Sequence, residues 1–252
     1  MGYQNSTFLL AVYGCIDTAS RKILWLKVWV TNSDLLRVGR WYLDYLYETK
    51  TIAVYLRMDK GTETGKMATM HTFLRSHHGD LDETTDSVIY GPSTSNQIER
   101  WWRELHERLE KFFKMNLCWL KDNGHYDPKS EQHRMLLAYI MIPLLQRELD
   151  TFKDCVWNSH RIRAQKDTVL PSGIPDHIHN FPEEYSLEQC ELPVTNEQLR
   201  EVAEISGVLD VSDDFLEPDF RRRCERILPD IHEIEAKDFW RAYLYLKDNF
   251  NA

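Results

Sequence analysis

Two apolar runs joined by a short polar segment constrain the fold of this chain more than any other feature. Residues 8–16 read FLLAVYGCI, and residues 23–30 read ILWLKVWV. Continuous apolar runs of this length are typical of strands that are covered on both faces. The intervening residues 17–22 read DTASRK, which is a turn-like composition. We therefore predict two buried strands that form a hairpin.

Helical and extended patterns alternate after this hairpin. Residues 34–48 carry apolar side chains along one side of a helix, and Asn32 or Ser33 can cap it. Further helices are predicted over residues 66–77, 97–122 and 131–157, and strands over residues 52–58 and 88–90. The order strand, strand, helix, strand, helix, strand, helix predicts an α/β domain with a mixed sheet flanked by helices.

Two acidic residues occupy the ends of predicted elements. Asp59 follows the predicted strand over residues 52–58, and Glu99 comes 40 positions later, one turn into the helix that follows a GPSTS loop. Two carboxylates brought together in this way can share Mg²⁺, which prefers oxygen ligands and retains waters for chemistry. We expect Asp59 and Glu99 to be metal ligands. The simpler alternative is that Asp59 caps the next helix and that Glu99 is solvated.

Acidic residues concentrate in the last part of the chain. Residues 181–252 contain 8 Lys and Arg against 18 Asp and Glu, a net charge of −10, whereas the whole chain has −9. The near-neutral remainder is compatible with a DNA substrate. We predict a core-like domain over residues 1–180 and an acidic helical tail over residues 181–252. The prolines of residues 167–193 indicate a linker or strap, and Thr195 and Gln198 begin the first tail helix with a capping-box pattern.

Cysteine and histidine usage bears on metals and on the cellular compartment. The 5 cysteines form no CxxC pair, which is typical of a reduced protein without a zinc module. His71, His77 and His78 lie near Asp80 and Asp82 but match no zinc spacing. The chain has no apolar stretch of about 18 residues and no signal-peptide pattern. We expect a protein of the nucleus or the cytoplasm that has no membrane partner.

Four short segments carry a further pattern. They are GCIDTASRK at residues 14–22, DKGTE at 59–63, GPSTSNQIERWW at 91–102, and WNSHRIR at 157–163 together with PSGIP at 171–175. In this order they resemble the integrase core family, the RNase H-like DDE integrases and transposases, and more closely the integrase-core-domain proteins of eukaryotic genomes. The resemblance covers roughly residues 6–180 and implies an RNase H-like fold.

The resemblance also implies roles for individual acids. Asp59 looks like the second catalytic Asp of the family and Glu99 like its catalytic Glu, which implies two Mg²⁺ (or Mn²⁺) ions acting on DNA. The family's first catalytic Asp lies on an earlier strand, roughly sixteen or seventeen residues before Asp17. We therefore expect the first strand to be missing or truncated and its Asp to lie outside this sequence. Asp17 is the alternative third ligand, although antiparallel strands would place it at the far end of the sheet from Asp59.

Basic and aromatic residues follow the glutamate on the same predicted helix. Arg100, Arg103 and His106 are candidate contacts to DNA phosphates, and ion pairing within the helix is the equal alternative. For Trp101 and Trp102 we expect packing of the helix on the sheet rather than stacking on bases.

Three functions remain open at this point. The leading interpretation is DNA integration or strand transfer by two-metal phosphoryl transfer, provided that the first Asp is supplied. The second is a domesticated, non-catalytic integrase-like module that binds nucleic acid or protein. The third is an RNase H-type nuclease that hydrolyses RNA–DNA hybrids without strand transfer. A homo-oligomer and a protein partner on the acidic tail are further candidate assemblies.

Overall fold

The computed structural model describes residues 2–5, 8, 10–59, 61, 64–91, 101–102, 105, 111–164, 166 and 168–250. The strands of this part of the chain are β1 (Gly2–Asn5), β2 (Leu10–Ile16), β3 (Ile23–Trp29), β4 (Thr51–Ala53), β5 (Leu56–Met58), β6 (Val88–Tyr90) and β7 (Glu191–Pro193). Its α-helices are α1 (Leu35–Thr49), α2 (Gly65–Arg75), α3 (Lys111–Asp122), α4 (Glu131–Thr151), α5 (Pro175–Asn180), α6 (Asn196–Ser206), α7 (Pro218–Ile227) and α8 (Phe239–Phe250).

The first three strands form an antiparallel sheet in the order β1-β2-β3. The β2–β3 register, with Ala11 opposite Trp29, confirms the predicted hairpin. Side chains of both strands enter two different hydrophobic clusters, which explains why these strands are apolar on both faces. The expectation of only two strands before the first helix was wrong. β1 pairs along β2 from Gly2 to Asn5, and its sequence GYQN has no apolar alternation that could have revealed it.

The single strand expected over residues 52–58 was also wrong, because this segment forms two strands in different sheets. β4 pairs antiparallel with β7, whereas β5 pairs parallel with β6. The bend lies at Val54, whose N–H donates to the carbonyl of Cys190 over 3.1 Å. The described strands therefore form three small sheets rather than one mixed sheet.

Most predicted helices are present with shifted ends. Asp34 caps α1 by accepting a hydrogen bond from the N–H of Arg37, so the expected caps Asn32 and Ser33 were wrong. The predicted helix over residues 131–157 is confirmed as α4 followed by a π-helical turn, Phe152–Trp157. Of the helix predicted over residues 97–122, the described positions 101, 102, 105 and 111–122 are helical.

Two hydrophobic clusters build the interior, and the tail contributes to both. One cluster joins β2 and β3 to α3, α4, α7 and α8, and the other joins the same two strands to α1, α2 and α6. Thr195 and Gln198 form the predicted capping box at the start of α6. Among the described helices, none combines the length and the apolar character needed to cross a membrane.

Candidate metal centre

Two short parallel strands end at the same edge and place Asp59 there. Leu56 lies opposite Val88 and Met58 opposite Tyr90, and the N–H of Gly91 donates to the carbonyl of Met58 over 3.1 Å. The residues that follow two adjacent parallel strands lie at the same edge of the sheet. Asp59 follows β5 at this edge, and Gly91 follows β6 there.

The carboxylate of Asp59 has a buried oxygen that receives no hydrogen bond from the described residues. Its Oδ1 atom is buried and accepts no hydrogen bond within the described structure. Leaving a buried acceptor unsatisfied costs about 1–3 kcal/mol, and more when the group is charged. Such an atom in a native structure calls for a water, an ion or a functional reason. A hard cation bound to Oδ1 would supply the missing partner, so the residue fits a metal ligand.

The backbone at Asp59 is held by the turn that leads into α2. The hydroxyl of Thr64 donates to the carbonyl of Gly61 over 2.9 Å and lies 3.5 Å from the carbonyl oxygen of Asp59. Thr64 is buried and stands at the start of α2, where no side-chain hydrogen bond caps the helix. The alternative in which Asp59 caps α2 therefore has no supporting hydrogen bond within the described structure.

The other residues of the predicted site belong to a part of the chain that the structure does not describe. Glu99, Arg100, Arg103 and His106 lie outside the described residues. The tryptophans beside them are described, and their exposed fractions are 0% for Trp101 and 9% for Trp102. Both pack in the core, as expected, and the ring centroids of Trp101 and Trp157 are 6.3 Å apart.

Asp17 has an environment different from that of Asp59. Its Oδ2 accepts hydrogen bonds from the N–H of Ser20, over 2.8 Å, and from the Ser20 hydroxyl. Nδ1 of His179 lies 3.8 Å from the same oxygen. Burial acts to raise the pKa of Asp17, but the interactions with His179 and Ser20 outweigh it and lower the pKa to about 2. Asp17 therefore holds the β2–β3 turn together, and a role as a metal ligand stays a prediction.

The histidines near the acidic loop have structural roles. His71 is fully buried, and its Nδ1 lies 2.7 Å from the hydroxyl of Tyr42. Burial and the charge of Arg75 lower the pKa of His71 to about 4, so it is neutral at physiological pH. Arg75 in turn donates to Asp80 over 2.8 Å. Within the described residues, no group of three or more His, Cys, Asp or Glu side chains is arranged to hold a metal ion.

A second cluster joins two of the sequence segments that are distant along the chain. The amide of Asn158, which is 2% exposed, accepts from the N–H of Ile23 over 2.9 Å and donates to the carbonyl of Ile23 over 3.0 Å. The indole of Trp157 donates to the carbonyl of Arg21 over 2.8 Å. Lys22 forms an ion pair with Asp176 at 3.1 Å. No role was predicted for Asn158, although it lies in the segment over residues 157–163, one of those that resemble the integrase core family.

Comparison with known families shows the family to which the chain belongs. A family model described as Integrase core domain matches residues 5–174. Because this match covers more than half of the chain, the chain belongs to the integrase core domain family. No curated protein and no solved structure matched the chain. At the family level, integrase core domains carry out DNA-integration-type polynucleotidyl transfer, and the mixed α/β architecture is consistent with their RNase H-like fold.

Proposed function

We propose that this chain acts in DNA strand transfer by metal-dependent phosphoryl transfer, with Asp59 and Glu99 as carboxylate ligands. The observation that carries the proposal is the buried Oδ1 of Asp59, which has no hydrogen-bond donor in the described structure and stands where two parallel strands end. The family membership supplies the reaction class. An orphaned carboxylate oxygen at such an edge fits a hard divalent cation such as Mg²⁺ or Mn²⁺.

The residues of the chain have separate tasks in this proposal. Asp59 holds a cation through Oδ1, and the turn closed by Thr64 and the strand pairing at Met58 fix its backbone. Glu99, which lies outside the described residues, would supply the second carboxylate. Two bound Mg²⁺ ions would activate a water or a 3′-hydroxyl and stabilise the leaving oxygen of the phosphate. No side chain of the protein needs to serve as a nucleophile.

The third carboxylate of such a site is not supplied by β1, which contains no acidic residue. Asp17 is engaged by Ser20 and His179 in the hairpin turn. Binding a cation there would compete with those contacts. A third carboxylate ligand therefore remains unassigned among the described residues, and the proposed activity depends on one.

A cleavage and joining assay tests the proposal. Asp59→Asn keeps the shape of the side chain but removes the charge that holds the cation, so we expect Mg²⁺-dependent cleavage and joining of duplex DNA to fall at least 100-fold (about 2.7 kcal/mol in transition-state stabilisation). The matched control is Asp82→Asn, which neutralises an exposed aspartate and should leave the rate unchanged. Equal rates for the wild type and Asp59→Asn would overturn the proposal. Hydrolysis of RNA–DNA hybrids without joining would point to an RNase H-type nuclease.

A non-catalytic module is the second candidate function. The observation in its favour is that, within the described residues, Asp59 does not belong to a group of three or more His, Cys, Asp or Glu side chains that could hold a metal ion. A binding module would retain DNA or protein binding and show no Mg²⁺-dependent cleavage in any variant. The acidic tail is the proposed surface for a protein partner, and a homo-oligomer is the proposed assembly in either case.

A further inference from the structure

A loop with three cations is closed by a β-bridge at its base and is held to the β2–β3 turn through Arg21. We define the basic loop as residues 159–170, of which 165 and 167 lie outside the description. Ile162 and Gly173 form an antiparallel bridge with hydrogen bonds of 2.8 and 3.0 Å. On the other side, the guanidinium of Arg21 donates to the carbonyl of Pro171. The segments that enter and leave the loop are therefore anchored to the body of the protein.

The cations of the basic loop have no ionic partners in the described structure. Arg161, Arg163 and Lys166 are all exposed, and none of them forms an ion pair or a side-chain hydrogen bond with a described residue. By contrast, Arg222 pairs with Asp219 and Arg241 with Asp238, both on tail helices. The sequence of the loop contains one acidic residue against these three cations. A positive surface therefore stands out on a chain whose net charge is −9.

The geometry of the first two arginines suits a regular array of negative charges. The bridge holds Ile162 in extended pairing, and side chains alternate between the two sides of an extended segment. Arg161 and Arg163, both exposed, thus lie on the same side of half-buried Ile162. Their spacing of about 6.6 Å (two rises of ~3.3 Å) corresponds to the rise of about two nucleotides, at ~3.4 Å per phosphate along one strand.

We propose that the basic loop binds the phosphate backbone of double-stranded DNA. The inference rests on the proposed function, since it assigns a second contact surface for the same substrate. This surface shares no residue with the edge that carries Asp59. Contacts of this kind fix the position of a protein on the duplex without reading its sequence. Arg161 and Arg163 contact phosphates about two nucleotides apart on one strand, and Lys166 contributes a further charge.

The salt dependence of DNA binding tests this surface. Full-length wild type and the triple variant Arg161→Ala/Arg163→Ala/Lys166→Ala are titrated against a labelled duplex in EDTA, so that no metal chemistry occurs. Three lost phosphate contacts should reduce the slope of log K against log[salt] by about 2.7, at about 0.9 per contact. Between 50 and 200 mM salt, the wild type should then lose roughly 40-fold more affinity than the variant loses.

A charge-matched control distinguishes an effect of the basic loop from an effect of the net charge of the protein. Arg200→Ala/Arg222→Ala/Arg241→Ala also removes three exposed cations, each of which has an acidic partner on the same helix or beside it. We expect this control to keep the wild-type slope and all proteins to unfold at the same temperature. An unchanged slope in the loop variant, an equal loss in the control, or no duplex binding by the wild type would overturn the inference.

The catalytic proposal and the loop proposal fail differently. If the loop variant loses its slope while the wild type shows no cleavage with Mg²⁺, the loop assignment stands and the catalytic proposal falls. If the wild type cleaves DNA and the loop variant binds with an unchanged slope, the catalytic proposal stands and the loop assignment falls.

Discussion

Two aspartates that follow strands differ in what surrounds their carboxylates. Asp17 receives hydrogen bonds from Ser20 and has His179 at 3.8 Å, so its charge is satisfied by the protein itself. Asp59 has a buried oxygen that receives no hydrogen bond within the described structure. The first arrangement stabilises a turn, and the second leaves coordination capacity for an external cation. The position at the end of a strand does not distinguish an aspartate that stabilises a turn from a candidate cation ligand. The hydrogen-bond donors around each carboxylate do.

The pH dependence of stability tests the structural role of Asp17. Its pKa is lowered from 3.8 to about 2 in the folded protein, so it contributes stability above pH 3.8 that is lost as the pH falls toward 2. The full shift corresponds to about 2.4 kcal/mol, and partial exposure of the side chain reduces this to about 1 kcal/mol. Asp17→Asn should therefore be less stable than wild type by about 1 kcal/mol at pH 6.

Urea unfolding at several pH values provides the measurement. The difference between wild type and Asp17→Asn should fall to about half by pH 3. Between pH 3.8 and pH 2 the carboxyl group of Asp17 is protonated in most unfolded molecules but still charged in most folded ones, so proton uptake favours the unfolded state. Asp82→Asn serves as the control for removing one exposed negative charge. A difference that stays constant from pH 6 to pH 3 would show that the contacts of Asp17 do not depend on its charge.

At the scale of elements, local patterns predicted which segments are regular but not always what they pair with. The β2–β3 hairpin, α4 and the capping box of α6 followed from apolar periodicity and capping residues. The division of residues 51–58 into β4 and β5 depends on β7, which lies some 140 residues later. The sequence around residues 51–58 cannot indicate a partner strand that lies so far away along the chain. β1 was missed for a different reason: its partner β2 is the next strand along the chain, but its sequence GYQN has no apolar alternation.

For the candidate site, the sequence indicated Asp59 correctly as a strand-end acid but could not show its orphaned oxygen. It also could not show that Asn158 forms hydrogen bonds with both backbone groups of Ile23, because these bonds require two segments that are distant along the chain to meet.

The capping residue of α1, Asp34, lay one position beyond the expected Ser33, within the usual uncertainty of helix ends.

A close contact between α1 and the tail can be tested with a pair of glycines. A Cβ on Gly39 would lie 2.9 Å from Cγ1 of Val208 and 3.3 Å from Cβ of Lys66, whereas a Cβ on Gly65 meets nothing within 4 Å. Both glycines are helical. Gly39→Ala should destabilise the protein by about 1–3 kcal/mol through overpacking. Gly65→Ala should be neutral or stabilising by up to about 1 kcal/mol.

The double variant Gly39→Ala/Val208→Ala decides whether the clash is with the tail. Removing the Val208 methyl groups should recover part of the loss, which gives a coupling energy of at least about 0.5 kcal/mol between the two sites. Urea midpoints of the four proteins provide the cycle. Strictly additive effects would mean that Val208 does not pack on α1 in solution.

At the scale of the whole molecule, the acidic tail is part of the folded interior. Its buried large apolar side chains are Val194, Leu199, Val202, Val208, Leu216, Phe239, Tyr243, Leu246 and Phe250. The first four pack with α1 and α2, and the others pack with the cluster around α4. β7 also supplies the pairing partner of β4. The acidic charge of the tail therefore lies on the solvent side of helices whose inner faces complete two cores.

Truncation after residue 180 should unfold the remaining chain. Each buried large apolar side chain contributes about 1.5–3 kcal/mol, so the nine together exceed the net stability of roughly 5–15 kcal/mol for an ordinary domain. Circular dichroism and dye binding to exposed apolar surface at 25 °C would report the loss. A cooperative thermal transition in the truncated chain would show instead that residues 1–180 fold independently, as the sequence pattern predicts.

The central claim is that Asp59 is a cation ligand, and anomalous diffraction from crystals soaked in Mn²⁺ tests it most directly. We expect an anomalous peak roughly 2.0–2.6 Å from Oδ1 of Asp59, the range of bonds between hard cations and oxygen. The peak should be absent from Asp59→Asn crystals and present in Asp82→Asn crystals. A saturating soak that leaves no peak at Asp59, with Oδ1 instead bonded to a protein donor, would contradict the account.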